Sequence, residues 1–232
     1  MTIFKGDSIY KSGGGSGGGY SDGGALVDAD FIEVTNNSIS TYDNTSRDPV
    51  NFYFEVSDGE MINSVIELTT AVNSTVNVYV LKNGIYYLLG NIGGNTLTAN
   101  NSYTINVIGN SFEIDNVSGA LVPSYIDVGG YSVKLYKLQG NKYITGYFDG
   151  RKNWSGARNY VVGLGYSLPA QTDYKYAIDN GINIDLNYWY YNQALEWTSA
   201  SGYACLIDQA NNVMQMTPGS GTVTPFRAIV EL

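Results

Sequence analysis

The stretch Asn153-Trp154-Ser155-Gly156-Ala157-Arg158-Asn159-Tyr160-Val161-Val162-Gly163-Leu164-Gly165-Tyr166-Ser167-Leu168-Pro169-Ala170-Gln171-Thr172-Asp173-Tyr174 decides how the second half of the chain is read. Trp154, Ala157, Val161 and Leu164 recur at three- and four-residue steps, the spacing of one helix face, and Asn153 stands where a side chain can cap that helix. Gly165 is placed to end it, because glycine takes a left-handed C-cap without a steric penalty. Leu168-Pro169 then fixes an extended link. Tyr174, Ala177 and Ile178 give a second short apolar face, stopped at Gly181.

Outward from this pair, the preceding residues read as a hairpin. Ser132–Leu138 alternates, turns at Gly140-Asn141, and returns as Lys142–Phe148. Beyond the pair come Ile182–Trp197, short strands at Tyr203–Ile207 and Asn212–Met216, and a closing segment Pro225–Val230. The order Trp154, Ala157, Gly165, Leu168, Pro169, Tyr174, Tyr176, Ala177 resembles the C-type-lectin-like fold, in the branch that holds formylglycine-generating enzymes and phage tropism determinants. Phe226-Arg227 is similar to that branch's closing strand, which returns beside the first strand, and Glu196-Trp197-Thr198-Ser199 falls where members carry a Trp-Ser/Thr strand. The resemblance covers about residues 131–232 and makes Trp154, Ala157, Leu168 and Phe226 core. It does not bring the branch's chemistry: the oxidase needs two cysteines and this chain has only Cys205, and the calcium-binding lectin motifs are absent.

Residues 24–122 read as strands throughout: 51–56, 64–68, 75–81, 85–89, 102–108 and 111–114, with hairpin turns at Asn83-Gly84 and Gly109-Asn110. Strands at such spacing without helices indicate a β-sandwich or jelly roll, similar to carbohydrate-binding modules and phage fibre shafts. Pro123 and Gly129-Gly130 mark 123–130 as a hinge. The expected fold class is therefore mostly β, with four parts: an arm 1–19, a β-sandwich or jelly-roll domain 20–122, the hinge 123–130, and a small α+β lectin-like domain 131–232. Charge supports the division, with 2 Lys+Arg against 13 Asp+Glu over 20–130 and 8 against 7 over 131–232.

The arm sets Ile3, Phe4, Ile9 and Tyr10 before the run Lys11-Ser12-Gly13-Gly14-Gly15-Ser16-Gly17-Gly18-Gly19. An apolar hook on a glycine tether suits an anchor docking on a capsid or tail protein; the bland reading is a flexible tail. The start lacks the apolar core of a signal peptide and no run is long enough to span a bilayer, so no membrane insertion is expected. A net charge of −9 argues against nucleic acid. With no histidine in 232 residues, the usual general base and His-based zinc sites and nucleophile pairings are missing. The acidic residues show no metal-loop spacing, and no cofactor is expected. A lone Cys205 forms no internal disulfide and reads as a small buried residue made in a reducing cytoplasm.

The candidate contact surface is Asn187-Tyr188-Trp189-Tyr190-Tyr191-Asn192. Tyr and Trp offer large contact area at low rotamer cost and Asn supplies adaptable hydrogen bonds, but alternate rings packing inward would give the same sequence. Three functions follow as expectations. The first is a non-enzymatic protein of the outer virion surface, assembled in the host cytoplasm: a head fibre, decoration protein or tail fibre of a tailed phage. It is anchored by its arm, binds a host surface glycan or protein, and is a homo-oligomer, trimeric by analogy with phage fibres. The second is a bacterial surface adhesin or carbohydrate-binding module. The third is a hydrolase using two of Asp149, Asp173, Asp185 and Asp208.

Overall fold

A computed structural model describes residues 31–35, 39–42, 50–57, 60–68, 76–92, 102–114, 117–128, 130–148, 150–186, 193–219 and 221–232. The arm, with Ile3, Phe4, Ile9 and Tyr10, lies outside them. The chain is mostly β. In order come β1 (Phe31–Glu33), β2 (Ile39–Tyr42), β3 (Val50–Glu55), β4 (Ile62–Leu68), β5 (Val76–Lys82), β6 (Ile85–Ile92), β7 (Ser102–Ile108), β8 (Ser111–Ile114), β9 (Val117–Ala120), β10 (Val122–Val128), β11 (Tyr131–Lys137) and β12 (Lys142–Thr145). Two helices follow, α1 (Trp154–Gly163) and α2 (Gln171–Asp179), then β13 (Ala194–Trp197), β14 (Ala204–Ile207), β15 (Val213–Met216) and β16 (Ile229–Glu231).

Alternation builds the first half. In β3 and β5, Val50, Phe52, Phe54, Val76, Val78 and Val80 turn to one face and are almost fully buried. They meet Ile62 and Ile66 of β4, Ile105 and Val107 of β7 and Ile114 of β8 in one apolar core. The five-stranded sheet β2-β4-β7-β8-β9 thus packs against part of an eight-stranded sheet ordered β1-β3-β5-β6-β10-β11-β12-β16. The Asn83-Gly84 turn joins β5 to β6 with both residues at positive φ (52° and 75°), the conformation that a two-residue type I′ hairpin demands. Three pairings, β1–β3, β3–β5 and β2–β4, are parallel, because the chain crosses from one sheet to the other at each step from β1 to β5.

On the outer face of the large sheet, Phe31, Tyr53, Tyr79, Tyr86 and Tyr125 form a second cluster. Phe31 and Tyr125 have ring centroids 5.3 Å apart, although β3, β5 and β6 lie between their strands. Strands spaced about 4.8 Å apart would put their backbones roughly 19 Å apart on a flat sheet, more than two leaning rings can close, so the sheet curls toward this face and brings both rings over Tyr79 and Tyr86.

The expected hinge is corrected. Residues 122–128 are strand β10, paired with β6 on one side and β11 on the other, with Ile126 and Val128 buried. Pro123 is accommodated where the β6–β10 register shifts, a position that needs no ladder donor. The sheet therefore continues through the expected boundary. Its continuation is divided along a single strand: Tyr131–Lys134 of β11 pair with β10, and Leu135–Lys137 pair with β12.

Both helices end in the same way. In α1 the Gly165 amide donates to Val162 O and Tyr166 to Val161 O; in α2 Gly181 donates to Ile178 O and Ile182 to Ala177 O. Gly165 and Gly181 have φ of +82° and +67°, as this Schellman arrangement requires. Asn153 Oδ1 accepts from the Gly156 amide at 2.8 Å and caps α1. Ala157 and Val161 are fully buried, whereas Leu164 is the cap residue and stays 36% exposed, so the apolar face is one turn shorter than its spacing suggests. The closing strand also differs from expectation: β16 pairs with β12 and not with the first strand, β11.

Candidate functional site

The residues expected to make contact, Asn187, Tyr188, Trp189, Tyr190, Tyr191 and Asn192, lie outside the described residues, but both of their flanks are described. Upstream is Ile182–Leu186; downstream is Gln193 and strand β13. All four residues of β13 are buried, because the sheet β13-β14-β15 separates two apolar clusters. Leu195 and Trp197 face a core containing Phe148, Val161 and Phe226; Ala194 faces one containing Tyr174, Ala177 and Cys205.

That second direction also takes Glu196, which lies opposite Cys205 in the register and is fully buried. A buried carboxylate needs a counter-charge, and Arg227, also 0% exposed, supplies it. Arg227 Nε donates to Glu196 Oε2 at 3.3 Å, Nη1 to Thr145 O at 3.1 Å and Nη2 to Asp185 O at 3.0 Å. Its guanidinium lies 3.7 Å from the Tyr147 ring centre, and the Tyr147 hydroxyl donates to Glu196 Oε1. Burial opposes the charge on Arg227, but Tyr147 and Glu196 more than offset it and hold the group cationic. Burial likewise pushes the Glu196 carboxyl up, with Arg227 and Tyr147 pulling it back.

One arm of this network reaches the stem of the aromatic segment. Asp185 has φ +51°, unusual for a residue with a side chain, and is bonded through its carbonyl, amide and carboxylate. Its carbonyl accepts from Arg227, its amide donates to Asn183 Oδ1 at 3.2 Å, and its carboxylate accepts from the Tyr136 hydroxyl with Lys134 Nζ at 4.0 Å. Glu196 grips the other stem from within β13. Asp185 and Glu196, which stand before and after residues 187–192 in the sequence, are thus both bonded to one buried arginine. Sequence reading singled out neither Asp185 nor Glu196 nor Arg227 for this role; the available signal was a charge at an alternating position of the otherwise apolar Ala194–Trp197.

The carboxylates considered for hydrolysis are employed separately. Asp173 Oδ2 accepts from the Ala170 amide at 2.7 Å to cap α2, and its Oδ1 meets Lys142 Nζ at 2.6 Å. Asp208 accepts from the Ala210 and Asn212 amides and from Asn212 Nδ2, which holds its carboxyl below its ordinary range and closes the β14–β15 turn. Asp185 is bound as above, and Asp149 lies outside the described residues. Among the described residues, no three His, Cys, Asp or Glu side chains converge as a metal site. Comparison with protein-family models, with curated proteins and with solved structures returned no match to the chain.

Proposed function

We propose that the chain is a non-enzymatic structural attachment protein of a virion, a head fibre, decoration protein or tail fibre of a tailed phage, with a C-type-lectin-like C-terminal unit that binds a host surface glycan or protein. The observation that carries the reading is the Arg227 network. It bonds the Asp185 carbonyl before, and the Glu196 carboxylate after, a segment rich in Tyr, Trp and Asn, and a recognition segment gains affinity when its flanks are ordered before binding. The N-terminal arm is the anchor to a capsid or tail protein in this reading, and the sandwich holds the recognition end away from it. The resemblance to phage fibres implies a homo-oligomer.

Two measurements test it. Virion proteins are captured with the full chain and with a version lacking residues 1–19; arm-dependent retention of a capsid or tail protein is expected. No capture by either removes the virion reading and leaves a surface adhesin or carbohydrate-binding module. The captured chain is then presented to host cells as wild type and as Trp189→Ala with Tyr190→Ala. Cell binding that survives the double substitution removes the assignment of the contact surface to 187–192.

A further inference from the structure

We propose that β9 is a docking edge for a second copy of this chain, paired antiparallel about a twofold axis at Gly119. The strand ends the five-stranded sheet, and all of Val117, Ser118, Gly119 and Ala120 are exposed. Edge strands in natural proteins carry lysine, proline or a covering element that blocks pairing with another chain. Val117-Ser118-Gly119-Ala120 has no charge and no proline. Two other sheet edges are covered: Leu195 O of β13 accepts from Thr224 Oγ1 at 2.6 Å, and Ile229 of β16 exchanges backbone bonds with Ser167.

The register shows what β9 offers. Leu121 N donates to Asn110 O, so residues 110 and 121 form a hydrogen-bonded pair, and Phe112–Gly119 and Ile114–Val117 are the next such pairs. Ser118 and Ala120 therefore turn their N–H and C=O groups away from β8. Set antiparallel to itself, the strand satisfies all four groups: Ser118 pairs with Ala120 of the second copy, and Ala120 with its Ser118. The edge is its own complement, as a twofold interface requires.

Side chains favour the same occupant. A Cβ on Gly119 would lie 2.8 Å from the Phe112 ring, so that ring lies over the glycine and leans toward the edge. Phe112 remains half-buried, and Ile108, Phe112, Glu113, Ser118 and Gly119 line an open depression along this edge. Across the twofold axis the two Phe112 backbones stand three strand spacings apart, about 14 Å, and it is the ring edges lying over each Gly119 that approach across the seam. Bare Gly119 lets both backbones and both rings approach.

Sedimentation equilibrium of the full chain tests this. Wild type should reach twice the 25.2 kDa of one chain as concentration rises through the micromolar range. Ser118→Pro and Ala120→Pro each remove an outward N–H without touching a bond to β8, so each should keep the wild-type circular dichroism and melting curve yet shift the dimerisation constant at least tenfold. Ala120→Lys, which changes a side chain and no backbone group, should weaken pairing in the same direction. A chain monomeric throughout, a mass of three copies, or a dimer unmoved by all three substitutions would each overturn the proposal.

Discussion

The two halves of the molecule solve burial in opposite ways. The sandwich between β3-β5-β6 and β4-β7-β8 is filled by valine, isoleucine, leucine and phenylalanine, and its stability follows from apolar area removed from water. The C-terminal unit places a carboxylate and a guanidinium, both 0% exposed, where side chains of another kind would pack. A buried pair contributes little net stability, because desolvation consumes most of its attraction, but it is costly to break. The first half is therefore held by quantity of contact, and the second is fixed in one arrangement by directional bonds.

The largest effect should come from separating the pair. Arg227→Met leaves Glu196 uncompensated and should cost about 3–5 kcal/mol in urea unfolding. Combining it with Glu196→Leu should recover most of that loss, because the unpaired charge is gone. In the sandwich, Phe54→Ala should cost a similar amount, about 3–5 kcal/mol, through the cavity it leaves. The single Arg227→Met change should also speed reaction of buried Cys205 with a thiol reagent at low urea, whereas Phe54→Ala should leave it slow. Equal acceleration by both would mean that the halves open together.

Alkaline pH attacks both halves through buried acids, Cys205 and Tyr174 in the C-terminal unit and Tyr86 and Tyr53 in the sandwich. Burial, aided by Glu196, pushes the Cys205 thiol from 9.0 up to about 12. Burial also raises Tyr86 of the sandwich from 10.0 to about 12, against a bond from Ser132. In that window the unfolded chain has released protons that the folded chain keeps, so stability falls as pH rises. The loss should begin above pH 9, grow above pH 10, and approach about 1.4 kcal/mol per pH unit for each group. Cys205→Ala should flatten the first part of the decline, and Tyr86→Phe should lessen the second, which Tyr53 and Tyr174 share.

Smaller effects test local devices. Asn153→Ala removes the α1 cap and should cost about 1 kcal/mol. Asp179→Asn breaks the exposed Lys175–Asp179 pair at 2.8 Å and should change stability by less than about 0.5 kcal/mol. A larger loss from Asp179 than from Asn153 would contradict this ranking.

How much of this was legible depended on whether the signal was local. Asn83-Gly84 announces its hairpin because both residues tolerate positive φ, and Gly165 and Gly181 announce helix ends for the same reason. Capping by Asn153 is equally short-range. Parallel pairing of β3 with β5 has no such mark, since alternation specifies a face and not a partner. The hinge was misread because Pro123 and Gly129-Gly130 flank Tyr125, Ile126 and Val128 without interrupting them. The site was least visible: Arg227 and Glu196 are thirty-one positions apart, and each alone is an ordinary charge. Only the fold reveals that Asp185 completes their network.

Strand β11 gives its first half to β10 and its second half to β12. A flexible joint would let the C-terminal unit sweep a cone and sample a surface in many poses. Here Ile126 and Val128 of β10 instead pack in one core with Phe148, Leu195, Trp197 and Phe226 of the C-terminal unit, and a tilt must open that core. The orientation of β13 and of residues 182–186 relative to the sandwich is thereby set when that core forms, and the described parts of the two halves turn as one body.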